Sequence, residues 1–329
     1  MRQKRTHFVF ALLLVFAVAL AFTSCQKLGV SKLRANYHFS KANQLFTDGK
    51  YRRAMTEYEN TLKYNPDLVQ AYRFLGECYK NLYKVGVDTP ENQEVADKAL
   101  DAFKKAYEAE PDNKEIIFSL GDMYDKLKNF EEAEKLYLRI LQLEPGNMGN
   151  YYVIAEFYKR YATENEALRS KAESMYMRRI ELDPDNPQGY AYIANYFENL
   201  APSPESYDHA AEFWDKRIAL DPSSPEAWLA KGVNRWSRSY RFQNLPAAVR
   251  LKTANEALEA LEKANELDPE YPEPYSWLSV LYQSVLIKLE PDKEPRYKAE
   301  ADRAMERWND MRKRAAEKKK LEDELKKVG

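Results

Sequence analysis

The sequence predicts an all-α chain, an α-solenoid of stacked antiparallel helix hairpins, and three observations predict it. Prolines recur at Pro66, Pro111, Pro145, Pro184, Pro222 and Pro269, spaced by 45, 34, 39, 38 and 47 residues. Twelve residues before each stands an alanine: Ala54, Ala99, Ala133, Ala172, Ala210 and Ala257. Upstream lies a column of small residues, Ala42, Gly76, Gly121, Ala155, Ala194 and Gly232. Fixed columns at such a period mark a chain of supersecondary units, each leaving a hydrophobic face for its neighbour to cover.

Composition agrees. With 329 residues and 44% hydrophobic content, the chain can bury a sizeable core, which excludes wholesale disorder. Scarce glycine (10), abundant tyrosine (24) and 16 prolines suit helices with periodic breaks.

At the N-terminus, Arg2, Lys4 and Arg5 precede an unbroken apolar run from Phe8 to Phe22, the layout of a secretory signal. The run has 15 residues, short of the roughly 20 that span a bilayer's hydrocarbon core, although Thr23 to Cys25 would lengthen an uncleaved anchor slightly. Phe22-Thr23-Ser24-Cys25 resembles the lipobox of bacterial lipoproteins. That resemblance implies cleavage after residue 24, acylation of Cys25 and export, with Gln26 after the cysteine implying the periplasmic side of the outer membrane. A plain secretory signal with a coincidental cysteine is the alternative. Only Cys25 and Cys78 exist, so no disulfide framework is expected, and Cys78 reads as a small buried hydrophobe. Losing residues 1–24 leaves 48 basic against 52 acidic side chains, a balance that does not invite nucleic acid.

Further columns complete the repeat. Four residues after the alanines come Tyr58, Phe103, Tyr137, Tyr176, Trp214 and Leu261, and three after the small residues come Leu45, Tyr79, Tyr124, Tyr158 and Phe197. This pattern resembles the tetratricopeptide repeat over residues 35–311. The unit from Pro111 to Pro145 has 34 residues, the family's length, with Leu120, Gly121, Tyr124, Ala133 and Tyr137 at the family's offsets. Small residues such as Gly121 and Ala133 let the paired helices approach, and the large ones, such as Tyr124 and Tyr137, fill the wedge between neighbouring hairpins.

Most units exceed that length, the surplus falling near 83–94, 162–170, 201–206 and 239–254, where it makes either a second binding rim or longer helices and tolerated loops. A seventh unit starts at Tyr275, with Leu278, Ser279, Tyr282, Ala301 and Met305 in the columns. Trp308, Met311 and Ala315 then continue an apolar stripe that suits a capping helix. The organisation is thus a signal at 1–24, a lipidated cysteine and tether at 25–34, about six to seven hairpins over 35–311, and a charged helical tail at 312–329.

The family resemblance also implies a concave groove lined by the first helix of each hairpin, three before, one after and four after the small residue. Those offsets give Arg73, Glu77 and Lys80, then Phe118, Asp122 and Asp125, then Tyr152, Glu156 and Lys159. Later units give Ala191, Asn195 and Glu198, then Leu229, Val233 and Trp236, then Ser276, Val280 and Gln283. Trp236 is either an anchor for a partner segment or a residue packed beneath the insertion that follows it. Glu77 and Glu156 stand where relatives that clamp a chaperone's C-terminus carry Asn, so such binding is not expected.

No constellation for catalysis is present. The histidines are His7, His38 and His209 alone, and no phosphate loop or nucleophile elbow occurs. The sequence therefore predicts a non-enzymatic chain without cofactor or metal. It would be anchored to the membrane by lipid and bind other proteins as an envelope scaffold, in secretion, pilus or outer-membrane assembly. Envelope glycan or peptidoglycan binding, or homo-oligomeric self-assembly, is the alternative.

Overall fold

The computed structural model describes residues 29–163 and 165–328, so the expected signal, the lipobox and Cys25 lie outside the described residues. All regular structure among them is helical. The chain divides at Pro145 into two compact units.

The first unit holds three hairpins. Helix α1 (29–47) pairs with α2 (Tyr51–Tyr64) through Asn43–Tyr58, Lys41–Glu57 and Phe39–Tyr58, α3 (Val69–Leu82) with α4 (Pro90–Ala109), and α5 (Lys114–Lys126) with α6 (Phe130–Leu143). In the second unit α7 (Met148–Tyr161) pairs with α8 (Glu166–Leu182), α9 (Pro187–Asn199) with α10 (Pro204–Leu220), and α11 (Pro225–Arg241) with α12 (Ala247–Leu267). Its last hairpin joins α13 (Pro272–Leu281), which runs on through a π-helical turn at Tyr282–Leu286 into α14 (Ile287–Leu289), to α15 (Glu294–Val328). Within each unit, every second helix also packs on the first helix of the next hairpin.

The recurring prolines stop the second helices in one uniform way. Asn65, Glu110, Glu144, Asp183, Asp221 and Asp268 each precede one of them, and all sit at φ between −135° and −144° with ψ between 70° and 94°. A residue before proline is pushed out of the α region, so the helix must end there. Glu290 before Pro291 adopts the same conformation and separates α14 from α15, the signal being used here at the end of a first helix. Restart signals follow, with side-chain oxygens of Asn113, Asn147, Asn186 and Ser224 capping the next first helix.

All six column alanines are completely buried. The glycines of the small column face the large residue of the second helix more closely than the alanine. A Cβ on Gly76 would lie 2.6 Å from the Phe103 ring, one on Gly121 3.2 Å from the Tyr137 ring, and one on Gly232 2.7 Å from Leu261. The close approach in these hairpins is therefore a small residue receiving a ring or a leucine, rather than the small-on-small crossing expected for Gly121 and Ala133. The wedge expectation holds for Tyr58, whose ring lies 5.9 Å from Phe39 of its own hairpin and 5.9 Å from Phe74 of the next. Tyr176 likewise contacts Tyr152 and, at 5.3 Å, Tyr196 of the following hairpin.

Most of the surplus residues lengthen second helices at their N-terminal ends. Helices α2 and α6 have 14 residues, whereas α8 and α10 have 17, α4 has 20 and α12 has 21. The turn before α4 is tied by buried Asn92, which accepts from the Lys84 N–H and donates to the Lys84 and Val87 carbonyls. At the N-terminal end, residues 29–34, expected as tether, already belong to α1. At the other end, Tyr297, Ala301, Ala304 and Met311 are the buried stripe of α15, while Ala315 is exposed. The charged tail continues that same helix.

Gly76→Ala should cost about 1–3 kcal/mol, because the ring facing it belongs to a fully buried core residue and has little room to move. Gly146→Ala meets open space and should stay within about 0.5 kcal/mol of the parent in urea unfolding. Equal stability of the Gly76→Ala variant and the parent would show that the α3–α4 approach is misdescribed.

Candidate functional site

In the first unit the expected groove residues are Arg73, Glu77 and Lys80 on α3 and Phe118, Asp122 and Asp125 on α5, and of these Lys80 and Asp122 meet across the two helices. Glu77 accepts from the Ser119 hydroxyl at 2.5 Å and pairs with Lys80 at 2.9 Å, while Lys80 reaches Asp122 at 2.8 Å. Burial works against the Lys80 ammonium, but Glu77 and Asp122 more than offset it and raise its pKa. The Arg73 guanidinium lies 4.2 Å from the centre of the Phe74 ring. Phe118 is 41% exposed, an apolar side chain on a face that also carries these charged groups.

In the second unit, Tyr152 stacks on Tyr192 at 4.1 Å and Arg179 covers the Tyr192 ring at 4.7 Å. Glu156 accepts from the Tyr176 hydroxyl and from Lys159, both at 2.5 Å. Asn195 is exposed. Leu229 is drawn against the core shared by α12 and α13. Trp236 packs on Trp277 of α13 at 4.8 Å and stacks with Tyr240 at 5.2 Å, and its N–H donates to the Ser284 hydroxyl. It thus lies between first helices. Val280 (36%) and Tyr240 (38%) are exposed beside it, and Val233 is half-buried. The result is an aromatic and apolar strip across α11 and α13. Tyr240 and Trp277 do not fall on the family's offsets, though Tyr240 stands one helical turn beyond Trp236.

Beneath this face lies a polar network that the offsets missed. Glu198, expected in the groove, turns inward and accepts from the Trp214 N–H and the Asn234 amide, each at 2.7 Å. Asn234 in turn accepts from Arg235 at 2.8 Å, and Arg235 pairs with Asp208 at 2.8 Å. Asp208 also holds Arg238 at 2.7 Å, and Arg238 donates to Thr253 at 3.1 Å. The chain of bonds joins the α9–α10 hairpin to the α11–α12 hairpin. Arg238, one of the basic residues interleaved with aromatics between Trp236 and Phe242, is therefore committed inside the protein.

Burial raises the Glu198 pKa, an effect that its two donors and the charges of Arg235 and Arg241 only partly offset. Burial also opposes ionisation of Asp208, but Arg235 and Arg238 outweigh it and lower that pKa. Cys78 is buried, and its thiol is pushed up to about 12 by burial and by Glu77, the behaviour of an unreactive core residue. Among the described residues no cluster of three His, Cys, Asp or Glu is placed to hold a metal, and no helix is long and apolar enough to cross a membrane.

The linkage signs of the two carboxyls are opposite. A carboxyl whose folded pKa is raised binds its proton more tightly when folded, so its contribution favours folding at low pH and is lost as pH rises above the ordinary 4.5. Glu198→Gln keeps an acceptor for Trp214 and Asn234 without the charge. Its stability relative to the parent should therefore improve from pH 4 to pH 7 in thermal melts, whereas a relative decline over that range would contradict the raised pKa of Glu198. Asp208→Asn should do the reverse, its cost of about 1.5–3 kcal/mol at neutral pH shrinking in acid.

Comparison with known proteins agrees with this architecture. Residues 39–81 and 93–156 each match a tetratricopeptide-repeat family model. No curated protein matches the sequence. Among solved structures the fold is similar to MamA, at 18% identity over 57% of this chain and 92% of that one, with a TM-score of 0.44. It is similar to YrrB, described as a TPR protein with an unusual peptide-binding site, at 21% identity over 59% and 90% with a TM-score of 0.40. It is also similar to PilF of Pseudomonas aeruginosa, at 13% identity over 74% and 96% with a TM-score of 0.44. Two matched repeat segments and an all-helical architecture of tetratricopeptide-type hairpins are thus what sequence comparison and structure establish for this chain.

Proposed function

We propose that this chain is a lipid-anchored adaptor of the bacterial envelope. Cys25 holds it to the membrane, on the periplasmic side of the outer membrane by the Gln26 rule, and the faces of the first helices bind segments of partner proteins. One observation carries the interaction reading. Trp236, Tyr240, Trp277 and Val280 form an apolar strip on the first helices α11 and α13, with Val280 and Tyr240 open to solvent. Aromatic anchors of this kind concentrate binding energy at interfaces. The family match of the repeats and the absence of a catalytic constellation in the sequence support the same reading. The wedge tyrosines Tyr58 and Tyr176 are fully buried, which counts against a glycan platform built on those columns.

The test is affinity capture of the full chain from detergent-solubilised envelopes, beside a variant carrying Tyr240→Ala and Val280→Asp. Both positions are exposed, so the variant should keep its fold, whereas Leu229 supports the core and would confound the result. A stoichiometric partner lost in the variant is the expected outcome. Equal recovery of every partner by both proteins would remove the strip from the site, and capture of the chain alone would favour self-assembly.

A further inference from the structure

Ten large hydrophobic side chains are conspicuously exposed in the described protein, and three of them fall in the first nine residues of α1. Val30 is 50% exposed, Leu33 70% and Tyr37 64%. Their spacing of three and four residues places them in one stripe. Ala35, Ala42 and Leu45 of the same helix are buried, and Phe39 and Phe46 turn towards Phe74 of the next hairpin. The stripe therefore points away from both partners of α1, on the side where a preceding hairpin would stand.

Charge and chain length say what covers it. From Gln26 to Thr47 the sequence carries Lys27, Lys32, Arg34 and Lys41 and no acidic residue, although acidic residues slightly outnumber basic ones over the whole chain. Lys41 is held by Glu57, while Lys32 and Arg34 are exposed. Gly29 is already helical, which leaves four peptide steps from Cys25 to α1, at most about 14 Å of extended chain. An acylated Cys25 would hold the first turns of α1 within the headgroup layer. A helix with an apolar stripe and basic residues but no acidic ones suits an anionic lipid surface.

We infer that the stripe Val30–Leu33–Tyr37 rests in the interfacial layer of the membrane, so that α1 lies on the bilayer and fixes the orientation of its hairpin instead of hanging from a loose tether. This rests on the acylation of Cys25 proposed above. The protein is expressed with its own signal, purified in detergent and reconstituted into vesicles of phosphatidylethanolamine and phosphatidylglycerol. Single substitutions Leu33→Cys, Tyr37→Cys and Val87→Cys carry an environment-sensitive fluorophore, Val87 being an exposed reference in the turn before α4. Cys78 is buried and escapes labelling. Circular dichroism confirms that each variant is folded.

Labels at 33 and 37 should be quenched several-fold more than the label at 87 by a quencher attached to the upper acyl chain. Vesicle-bound protein with equal quenching at all three positions would overturn the inference while leaving the anchor intact. Protein that fails to float with the vesicles would overturn the inference together with the anchor. Self-quenching at 33 and 37 that tracks protein density, with no response to the lipid quencher, would assign the stripe to a second copy of the chain.

Discussion

Everything else in this molecule depends on how a hairpin closes. The first helix offers a glycine or alanine at one point, and the second helix sets a ring or leucine against it, as Phe103 does over Gly76 and Leu261 over Gly232. That fit brings the helices close, but it leaves the far side of the large residue uncovered. Tyr58 meets Phe74 and Tyr176 meets Tyr196, each in the next hairpin, so burial is completed only by stacking. Stability is then distributed along each unit, in the manner of repeat arrays, and the first helices are left side by side with side chains to spare.

Those spare side chains differ between the units. On α3 and α5 the face is charged, and Lys80 is shared by Glu77 and Asp122. On α11 and α13 the face is aromatic, and its underside is held by the network running from Trp214 through Glu198, Asn234, Arg235 and Asp208 to Arg238. Two buried guanidinium groups share one half-exposed carboxylate there. Such a network contributes geometric definition between hairpins more reliably than net stability, because the desolvation of the charges offsets much of their attraction. It leaves the aromatic strip above it on a firm support.

Much of the fold was legible in the sequence because its constraints are strict. A fully buried close contact tolerates only alanine or glycine, and a proline forces the residue before it out of the helix, so both leave fixed columns. The site was legible only in part. The family's offsets state which face a residue occupies, and two of the residues they name, Lys80 and Asp122, lie beside each other. The offsets do not state which way a long side chain turns, and Glu198 turned inward because Trp214 and Asn234 supply two donors from other helices. Trp277 was missed because it is off the offsets and reaches the strip only through its packing on Trp236. Length surplus was visible, but its conversion into longer second helices depends on contacts far apart in the chain.

The most direct test of this account is a double-mutant cycle on Tyr58→Leu and Phe74→Leu, measured by urea unfolding of the full chain. The rings are stacked 5.9 Å apart across two hairpins with an interplanar angle of 8°. A coupling energy of about 0.5–1.5 kcal/mol is expected if the wedge residue of one hairpin is completed by the next. Strict additivity of the two substitutions would contradict it and would mean that each hairpin buries its own large residues unaided.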